Sequence, residues 1–307
     1  DITVDSLAVP GLLNVGSDVF AVAEAQCKKG ENTVLTGIAS QLLTKATGKE
    51  RMEVLKDAKK DTKVLEEVTS TQEKKRVDVS RPTAVVEGSN IYMLVGKHSH
   101  EDAANCRAKT ATIKSGILLV KGNVSVEGDG KKIHWNYTDG LPCTIGNQHN
   151  SLTQLIVGGG SVVRLRDGTF LFPMEATKKK DKEKEDVKSA LLIIHNSANT
   201  PSWNLSKEMS ADGCSDPSVV EWKGKLMMMT ACDDGRRRVY EIGDKGESWT
   251  EALGTLSRVW RNKHEGDEKG VGSGFITAKV DGVGEKRNVM LVTLPVYSKA
   301  ENEEEEK

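Results

Sequence analysis

The stretch "DPSVVEWKGKLMMMT" at residues 216–230 has the pattern of a β-hairpin. Two apolar runs flank a short turn that contains Gly224, and runs of this length bounded by turn residues are typical of strands. The residues of both strands are apolar almost throughout, and do not alternate between apolar and polar. This pattern predicts that both faces of the hairpin are buried. The stretch therefore indicates a hairpin sandwiched between neighbouring sheets.

The same design recurs along the chain. Copies read "PGLLNVGSDVFAVAEA" (10–25), "PTAVVEGSNIYMLVG" (82–96), "GGSVVRLRDGTFLFPM" (159–174) and, more loosely, "GFITAKVDGVGEKRNVMLVTL" (274–294). Repeats of 57 to 77 residues, each with a hairpin and further strand-like text, fit the blades of a β-propeller better than a helical repeat. A doubly wound α/β fold would need amphipathic helices, and the nearest candidate, 44–70, is so charged that we interpret it as an excursion from the first blade.

Composition excludes several classes of protein. The 307 residues are 37% hydrophobic, which is compatible with a folded core, and the 44 basic and 45 acidic residues leave a net charge of -1. This balance favours neither nucleic acid nor an anionic membrane surface as a partner. No run approaches the roughly 18 apolar residues of a membrane helix, and the first residues contain neither an initiator Met nor a signal segment, so we expect an excised piece of a longer chain.

The five cysteines are scattered and form no C-x-x-C pair, so no metal site or other cofactor is expected, and their pairing stays open. Two low-complexity stretches, 178–186 and 301–307, are predicted to be a solvated loop tip and a disordered acidic tail. The predicted domain therefore covers residues 1–300.

Three sequons, at Asn123, Asn136 and Asn204, favour an extracellular location only mildly, because such triplets arise by chance. If they are used, the asparagines should lie in exposed turns, and Asn204 should point outward because Trp203 precedes it.

The segment "IGDKGESW" (242–249) matches the Asp-box pattern of strand-to-strand turns, except that Ile242 replaces the first hydroxyl residue. Asp244 should accept bonds from the turn, Gly246 should take a positive φ, and Trp249 should fill the blade interior. A decayed copy, "NSANTPSW", occupies 196–203.

Three consecutive arginines, Arg236 to Arg238, stand between a tight turn and a strand in "CDDGRRRVYE" (232–241). Side chains alternate along a strand, so Arg237 must face away from both neighbours. Either all three are solvated and loosely paired with nearby acids, or Arg237 points into a cleft and holds an anion. The local sequence leaves both possibilities open.

The segment 213–260, together with "SRPTAVVEGSNIYMLVGK" (80–97) and "DVFAVAEAQCKKGEN" (18–32), resembles the trypanosomal trans-sialidase superfamily, and the wording is closest to its surface glycoprotein branch. The resemblance implies a six-bladed propeller, here truncated to about five blades. Active members carry three arginines that clamp the sialic acid carboxylate, an aspartate acid/base, and a tyrosine nucleophile assisted by a glutamate, an exception to the paired-carboxylate scheme.

When this set is mapped onto the chain, the resemblance implies that most of its members are substituted or lie beyond residue 307. The first clamp arginine is replaced by Ala8, the second corresponds to Arg237, and the third would lie beyond residue 307. The acid/base position holds Glu31 or Asn32, depending on a one-residue gap. A single arginine without its partners is a weak anion site, so we expect Arg237 to survive through a buried pair with Glu221 or a hydrogen bond to a neighbouring blade.

Two further positions complete the comparison. A sugar-binding aspartate is replaced by Arg81, a reversal of charge, and Glu221 matches the glutamate whose tyrosine would again lie beyond the chain. The resemblance therefore implies a non-enzymatic surface adhesin or antigen that binds host-cell or matrix glycoproteins, with at most weak binding of sialoglycans. An exo-α-sialidase or trans-sialidase is the alternative, because the fold permits the activity without conferring it.

Overall fold

We describe a computed structural model of the chain. The described residues are 2–29, 33–43, 53–57, 61–68, 74–97, 116–127, 130–141, 145–159, 161–179, 188–196, 202–261, 273–281 and 286–294. Glu31, Asn32, the acidic tail and most of the loop at 178–186 lie outside them.

The fold is all-β. The strands of the described residues form six antiparallel sheets, of which five, numbered I to V, follow one another along the chain and the sixth is a small ribbon. Sheet I contains β1 (Ile2–Val15), β2 (Asp18–Lys29), β3 (Thr33–Leu43) and β4 (Thr62–Lys63). A small ribbon of β5 (Leu65–Val68) and β6 (Lys74–Val77) follows. Sheet II contains β7 (Val79–Glu87), β8 (Asn90–Lys97), β9 (Ile117–Glu127) and β10 (Gly130–Gly140).

The second half repeats the plan. A 3-10 helix, Ile145–Gln148, leads into sheet III, which contains β11 (Leu152–Val157), β12 (Val163–Arg164), β13 (Phe170–Lys178), β14 (Ser189–Asn196) and β15 (Trp203–Leu205). Sheet IV contains β16 (Cys214–Trp222), β17 (Lys225–Cys232), β18 (Arg237–Gly243) and β19 (Ser248–Glu251). Sheet V is the hairpin of β20 (Gly274–Asp281) and β21 (Lys286–Thr293).

All five predicted hairpins are confirmed as antiparallel pairs: β1 with β2, β7 with β8, β12 with β13, β16 with β17, and β20 with β21. The predicted burial on both faces is also confirmed. In β14, for example, five consecutive residues from Ala190 to Ile194 are fully buried, because each face of the strand packs against a different neighbouring sheet.

The sheets pack in series, and an apolar cluster fills each interface. Phe20 and Met93 lie between sheets I and II, and Leu94 and Phe172 lie between sheets II and III. Further clusters join sheet III to sheet IV and sheet IV to sheet V. Adjacent side chains of one strand thus serve two different interfaces.

The first strands of sheets I, II and IV break register at the same place. The breaks fall between Ala8 and Gly11, between Ser80 and Thr83, and between Ser215 and Ser218. In each break a residue with left-handed backbone precedes a proline: Val9 (φ 48°), Arg81 (φ 51°) and Asp216 (φ 54°). Sheet III is interrupted between β11 and β12, where Gly159 has φ 77°.

The pairing of two cysteines, which the sequence left open, is visible in sheet IV. Cys214 and Cys232 lie opposite each other on β16 and β17 and form a disulfide. Cys27 is a buried free thiol, and burial raises its pKa.

Candidate functional site

In the breaks of sheets II, III and IV, a backbone N–H is accepted by a side chain of the preceding sheet instead of by a neighbouring strand. Glu24 of sheet I accepts from Arg81 at 2.9 Å, and Thr83 of sheet II accepts from Gly159 at 2.9 Å. Glu175 of sheet III accepts from Asp216 at 2.9 Å, and Asp216 in turn accepts from Ser273, just before sheet V, at 3.1 Å. We call these four bonds the inter-sheet relay.

The Arg81 guanidinium, which the resemblance places at a sugar-binding position, is engaged inside the protein. Its Nη1 lies 2.7 Å from Oε2 of Glu175 and 3.5 Å from the carbonyl oxygen of Val157. The Glu175 side chain is only 13% exposed. Glu175 therefore holds two sheets at once, because one oxygen binds Arg81 of sheet II and the other binds Asp216 of sheet IV.

Arg237 is buried, with 2% of its surface exposed. Its Nη1 donates to Ser273 Oγ at 2.6 Å and lies 3.4 Å from Oδ2 of Asp216. Its backbone N–H donates to Trp260, and its carbonyl accepts from Arg258. This is the expected hydrogen bond to a neighbouring blade. The Nε of Arg237 is buried and has no hydrogen-bond partner among the described residues, so the interpretation of Arg237 as an anion ligand stays a prediction.

The alternative prediction, a buried pair between Arg237 and Glu221, is wrong. Glu221 lies on β16 opposite Leu226, near the turn of the hairpin, while Arg237 lies opposite Ala231 on β17, at the other end of the sheet. Asp216 takes the expected role because the register break turns its carboxylate toward Arg237 and Ser273.

Of the remaining positions implied by the resemblance, the structure describes Ala8 but not Glu31. Ala8 lies on β1 directly opposite Glu24, so it adjoins the relay but contributes no charge. Glu31 lies outside the described residues. The sequence analysis missed Glu24, Glu175, Asp216 and Ser273, although the matching tripeptides "AVP" (8–10), "SRP" (80–82) and "SDP" (215–217) mark three of the breaks.

Both neighbours of Arg237 bind Asp234: the Arg236 N–H donates to it at 3.1 Å, and the Arg238 guanidinium lies 2.8 Å from it. The pairing with a nearby acid was expected, but Arg238 is not solvated, since its side chain is 17% exposed. The hydrogen bond from Arg238 lowers the pKa of Asp234. Glu241, another nearby acid, binds Lys225. Nearby, Oε1 of Glu251 accepts from Arg258 at 2.8 Å and from Ser257 at 2.6 Å.

The Asp-box turn has the predicted backbone but different hydrogen bonds. Gly246 has φ 109°, and Trp249 packs against Tyr240 with ring centroids 5.7 Å apart. The Asp244 side chain accepts no hydrogen bond within this described turn, which contradicts its expected role. The Gly243 carbonyl accepts the N–H of Gly246, and the Gly246 carbonyl accepts Nε1–H of Trp249.

The sequon asparagines lie in strands, not in turns as expected. Asn136 is exposed at a register shift in the edge strand β10, and its amide donates to Asn123 of β9, which is half-buried. Asn204 is half-buried in β15 and lines a cleft of about 330 Å³ between sheet III and the Asp-box turn. His195 also lines this cleft, where burial lowers its pKa. The lining residues include no member of the relay.

Two features are absent from the described residues. No helix in this part of the chain is long and apolar enough to cross a membrane. No three His, Cys, Asp or Glu side chains are grouped there as metal ligands.

Comparison with known proteins identifies the family. A model of the BNR repeat-like domain matches residues 9–307. The chain belongs to this family. It is 33% identical over 239 residues to sialidase 85-1.1 of Trypanosoma cruzi and 30% identical over 232 residues to a second T. cruzi sialidase, covering 75% and 71% of this chain. It spans only 30% and 18% of the length of these relatives.

Solved structures agree on the fold. Trypanosoma rangeli sialidase in complex with the inhibitor DANA superposes with a TM-score of 0.69 at 24% identity, over 96% of this chain and 45% of the other. A Hadza microbial sialidase gives a TM-score of 0.57 at 18% identity, over 93% of this chain and 53% of the other. The BNR repeat-like chain therefore has a sialidase-like β-propeller fold, and its relatives place it with the trypanosomal sialidase and trans-sialidase family.

Replacing Glu175 tests the relay. Glu175→Ala should lower the free energy of unfolding by about 2 kcal/mol, because it leaves the Asp216 N–H and the Arg81 guanidinium without their acceptor. Glu175→Gln should cost less, since an amide oxygen can still accept one bond. The control is Glu87→Ala, which removes the exposed pair with Arg164 and should cost no more than about 1 kcal/mol. Equal losses in urea denaturation for Glu175→Ala and Glu87→Ala would contradict the role of Glu175.

Glu251 should make stability depend on acidity. The hydrogen bond from Arg258, with a second from Ser257, holds the pKa of the Glu251 carboxyl below its usual range. The resulting stabilisation is complete above about pH 5 and is lost as the pH falls through the lowered folded-state pKa. Urea unfolding of wild type and Glu251→Gln should therefore differ at pH 6 and converge toward pH 3. A difference that is independent of pH would rule out this contribution.

Proposed function

We propose that this chain is a non-enzymatic, extracellular binding protein built on a sialidase-type propeller. The burial of Arg237 is the observation that carries the proposal. A carboxylate ligand must present its guanidinium to the substrate, but Arg237 is 2% exposed and bonded to Ser273 and Asp216. Binding a substrate carboxylate would require the buried guanidinium to leave Ser273 and Asp216.

A second arginine at the strand breaks, Arg81, is also paired within the protein, although its side chain is 37% exposed. Arg81 stands where the resemblance implies a sugar-binding aspartate, and its guanidinium is held by Glu175. Ala8 offers no second guanidinium beside it. We call the side chains at the strand breaks, Ala8, Arg81, Glu175, Asp216 and Arg237, the inner rim. Its charged members bind one another, whereas an active enzyme would need groups there that bind the transition state more strongly than the substrate.

The fold proposal follows from the order of sheets. Four sheets of at least four strands and a fifth hairpin pack in series, which is consistent with about five blades of a six-bladed plan within residues 1–300. Residues 301–307 would be the disordered acidic tail that their composition favours.

Two features favour an extracellular setting. The Cys214–Cys232 disulfide is typical of oxidising compartments, and the exposed Asn136 sequon can carry a glycan at the sheet edge. On this basis we propose host-cell or matrix glycoproteins as partners and the non-catalytic surface glycoprotein branch as the position within the family. The alternative, an exo-α-sialidase or trans-sialidase, is favoured by the names of the T. cruzi relatives.

An assay of sialoside cleavage and sialyl transfer distinguishes the two functions. The protein should release no fluorescent aglycone from an α-sialoside and transfer no sialic acid to a galactoside. General acid/base catalysis alone contributes about 10²–10⁴-fold to the rate, and the resemblance implies that the residues at those positions are substituted. Trypanosoma rangeli sialidase serves as the positive control. Cleavage that disappears in Arg237→Ala would establish the enzyme instead.

Binding is tested independently of catalysis. The purified chain should bind host cells saturably at micromolar concentration, and the binding should persist after the cells are treated with an active sialidase, since the inner rim holds no free sialic acid ligand. Glycan-dependent loss of binding after that treatment would favour a sialoglycan receptor, and absence of saturable binding would remove the adhesin proposal.

A further inference from the structure

The cleft of about 330 Å³ between sheet III and the Asp-box turn of sheet IV is separate from the inner rim. Both of its walls are formed by described residues of two neighbouring sheets, and no member of the inner rim lines it. Its volume is at the lower end of the range of about 300–1,000 Å³ that is typical of small-molecule sites. The cleft is therefore a candidate binding site in its own right.

One wall of the cleft presents an imidazole and an amide. His195 of β14 and Asn204 of β15 are directly opposite each other, so their side chains lie on the same face of sheet III. Trp203 and Leu205, on either side of Asn204, pack toward sheet II, which leaves Asn204 facing sheet IV. Nδ1 of His195 is buried without a hydrogen-bond partner, and the Asn204 amide makes no hydrogen bond within the described chain. Both side chains can therefore bind a ligand.

The opposite wall presents the Asp244 carboxylate. Three successive residues of the Asp-box turn have a positive φ: Asp244 (48°), Lys245 (58°) and Gly246 (109°). Asp is among the residues that adopt this conformation most readily, which accounts for its place in the turn. Its carboxylate, however, accepts no hydrogen bond from the described residues. Because Asp244 is exposed at the cleft, its two oxygens are available to a ligand.

The other charged groups of the cleft are already paired. Lys207 lies 2.7 Å from Glu247, and Lys245 lies 2.8 Å from Asp167, in the turn between β12 and β13. The lining contains two lysines and two acids, Glu247 and Asp244, so its formal charges cancel. An anion would meet the Asp244 carboxylate, and a cation would meet the lysines. The charge balance therefore favours a neutral ligand.

We propose that this cleft binds one neutral sugar unit through Asp244, Asn204 and His195. A sugar hydroxyl both donates and accepts hydrogen bonds, so it needs both kinds of group around it. The carboxylate accepts from two neighbouring hydroxyls, and the amide donates to one oxygen and accepts from another. Burial, together with the charge of Lys245, lowers the pKa of His195, so its neutral imidazole also donates and accepts. This binding does not depend on the function proposed above, because it is a property of the purified chain.

An NMR titration of the purified chain tests the proposal. Of the methyl glycosides of glucose, galactose and mannose, at least one should bind with a dissociation constant of about 1 mM and shift the His195 imidazole resonances. Asp244→Asn keeps the backbone conformation and one acceptor oxygen but removes the charge, so it should weaken binding about tenfold. Asn204→Ala should weaken it by a similar factor. The matched control is Asp5→Asn, an exposed acid of sheet I paired with Lys28, which should leave binding unchanged.

The charge of the sugar provides a test that needs no variant. The amino sugar and the uronic acid that share the ring of the bound glycoside should each bind about threefold more weakly. Tighter binding of the amino sugar would indicate a cation site, and tighter binding of the uronic acid an anion site, and either result would overturn the proposal. So would the absence of a shift at His195 with all three glycosides, or equal affinity of wild type and Asp244→Asn. An N-glycan on Asn204 in the purified chain, detected by peptide mass spectrometry, would also overturn it.

Discussion

The architecture depends on how the innermost strands satisfy their broken backbone. A left-handed residue interrupts the first strand of sheets I, II and IV, and Gly159 stands at the corresponding break of sheet III. A buried N–H without an acceptor costs about 1–3 kcal/mol, so the side chains of the preceding sheets stabilise the breaks of sheets II, III and IV by accepting those groups. The inter-sheet relay thus converts a local defect in each sheet into a contact between sheets.

The relay also determines what the inner rim can do. Its acceptors are carboxylates and a hydroxyl, and the two arginines that approach them, Arg81 and Arg237, are taken up as structural partners. The resemblance implies that related enzymes use guanidinium and carboxylate groups at this rim to hold a sugar. Among the described residues of this chain, the same kinds of group bind one another, which supports the proposed non-enzymatic function.

Much of the fold could be predicted from sequence because strand and turn patterns are local. The hairpin at 216–230 and its copies were recognisable from apolar runs and glycine turns, and all five form. The site was less predictable. Arg237 was correctly separated from its neighbours by strand alternation, but its partner depends on the register break at Asp216, which moves that carboxylate off the regular pattern. The alternative partner Glu221 lies near the turn of the hairpin, at the other end of the sheet from Arg237.

In the Asp-box segment, too, the backbone conformation could be predicted from the sequence but the hydrogen-bond partners could not. The sequence correctly predicted the positive φ of Gly246, because it follows from the turn itself. It did not predict that backbone carbonyls would replace the Asp244 side chain as acceptors, since that choice depends on the path of the turn. Non-local partners such as Ser273 for Arg237 lie beyond what spacing can reveal.

An experimental structure determined in the presence of excess sialic acid tests the central claim most directly. We expect an unoccupied inner rim, with Arg81 bound to Glu175, and Arg237 bound to Ser273 and Asp216, as in the unliganded chain. A sugar carboxylate within hydrogen-bonding distance of the Arg237 guanidinium, with those internal contacts broken, would contradict the account.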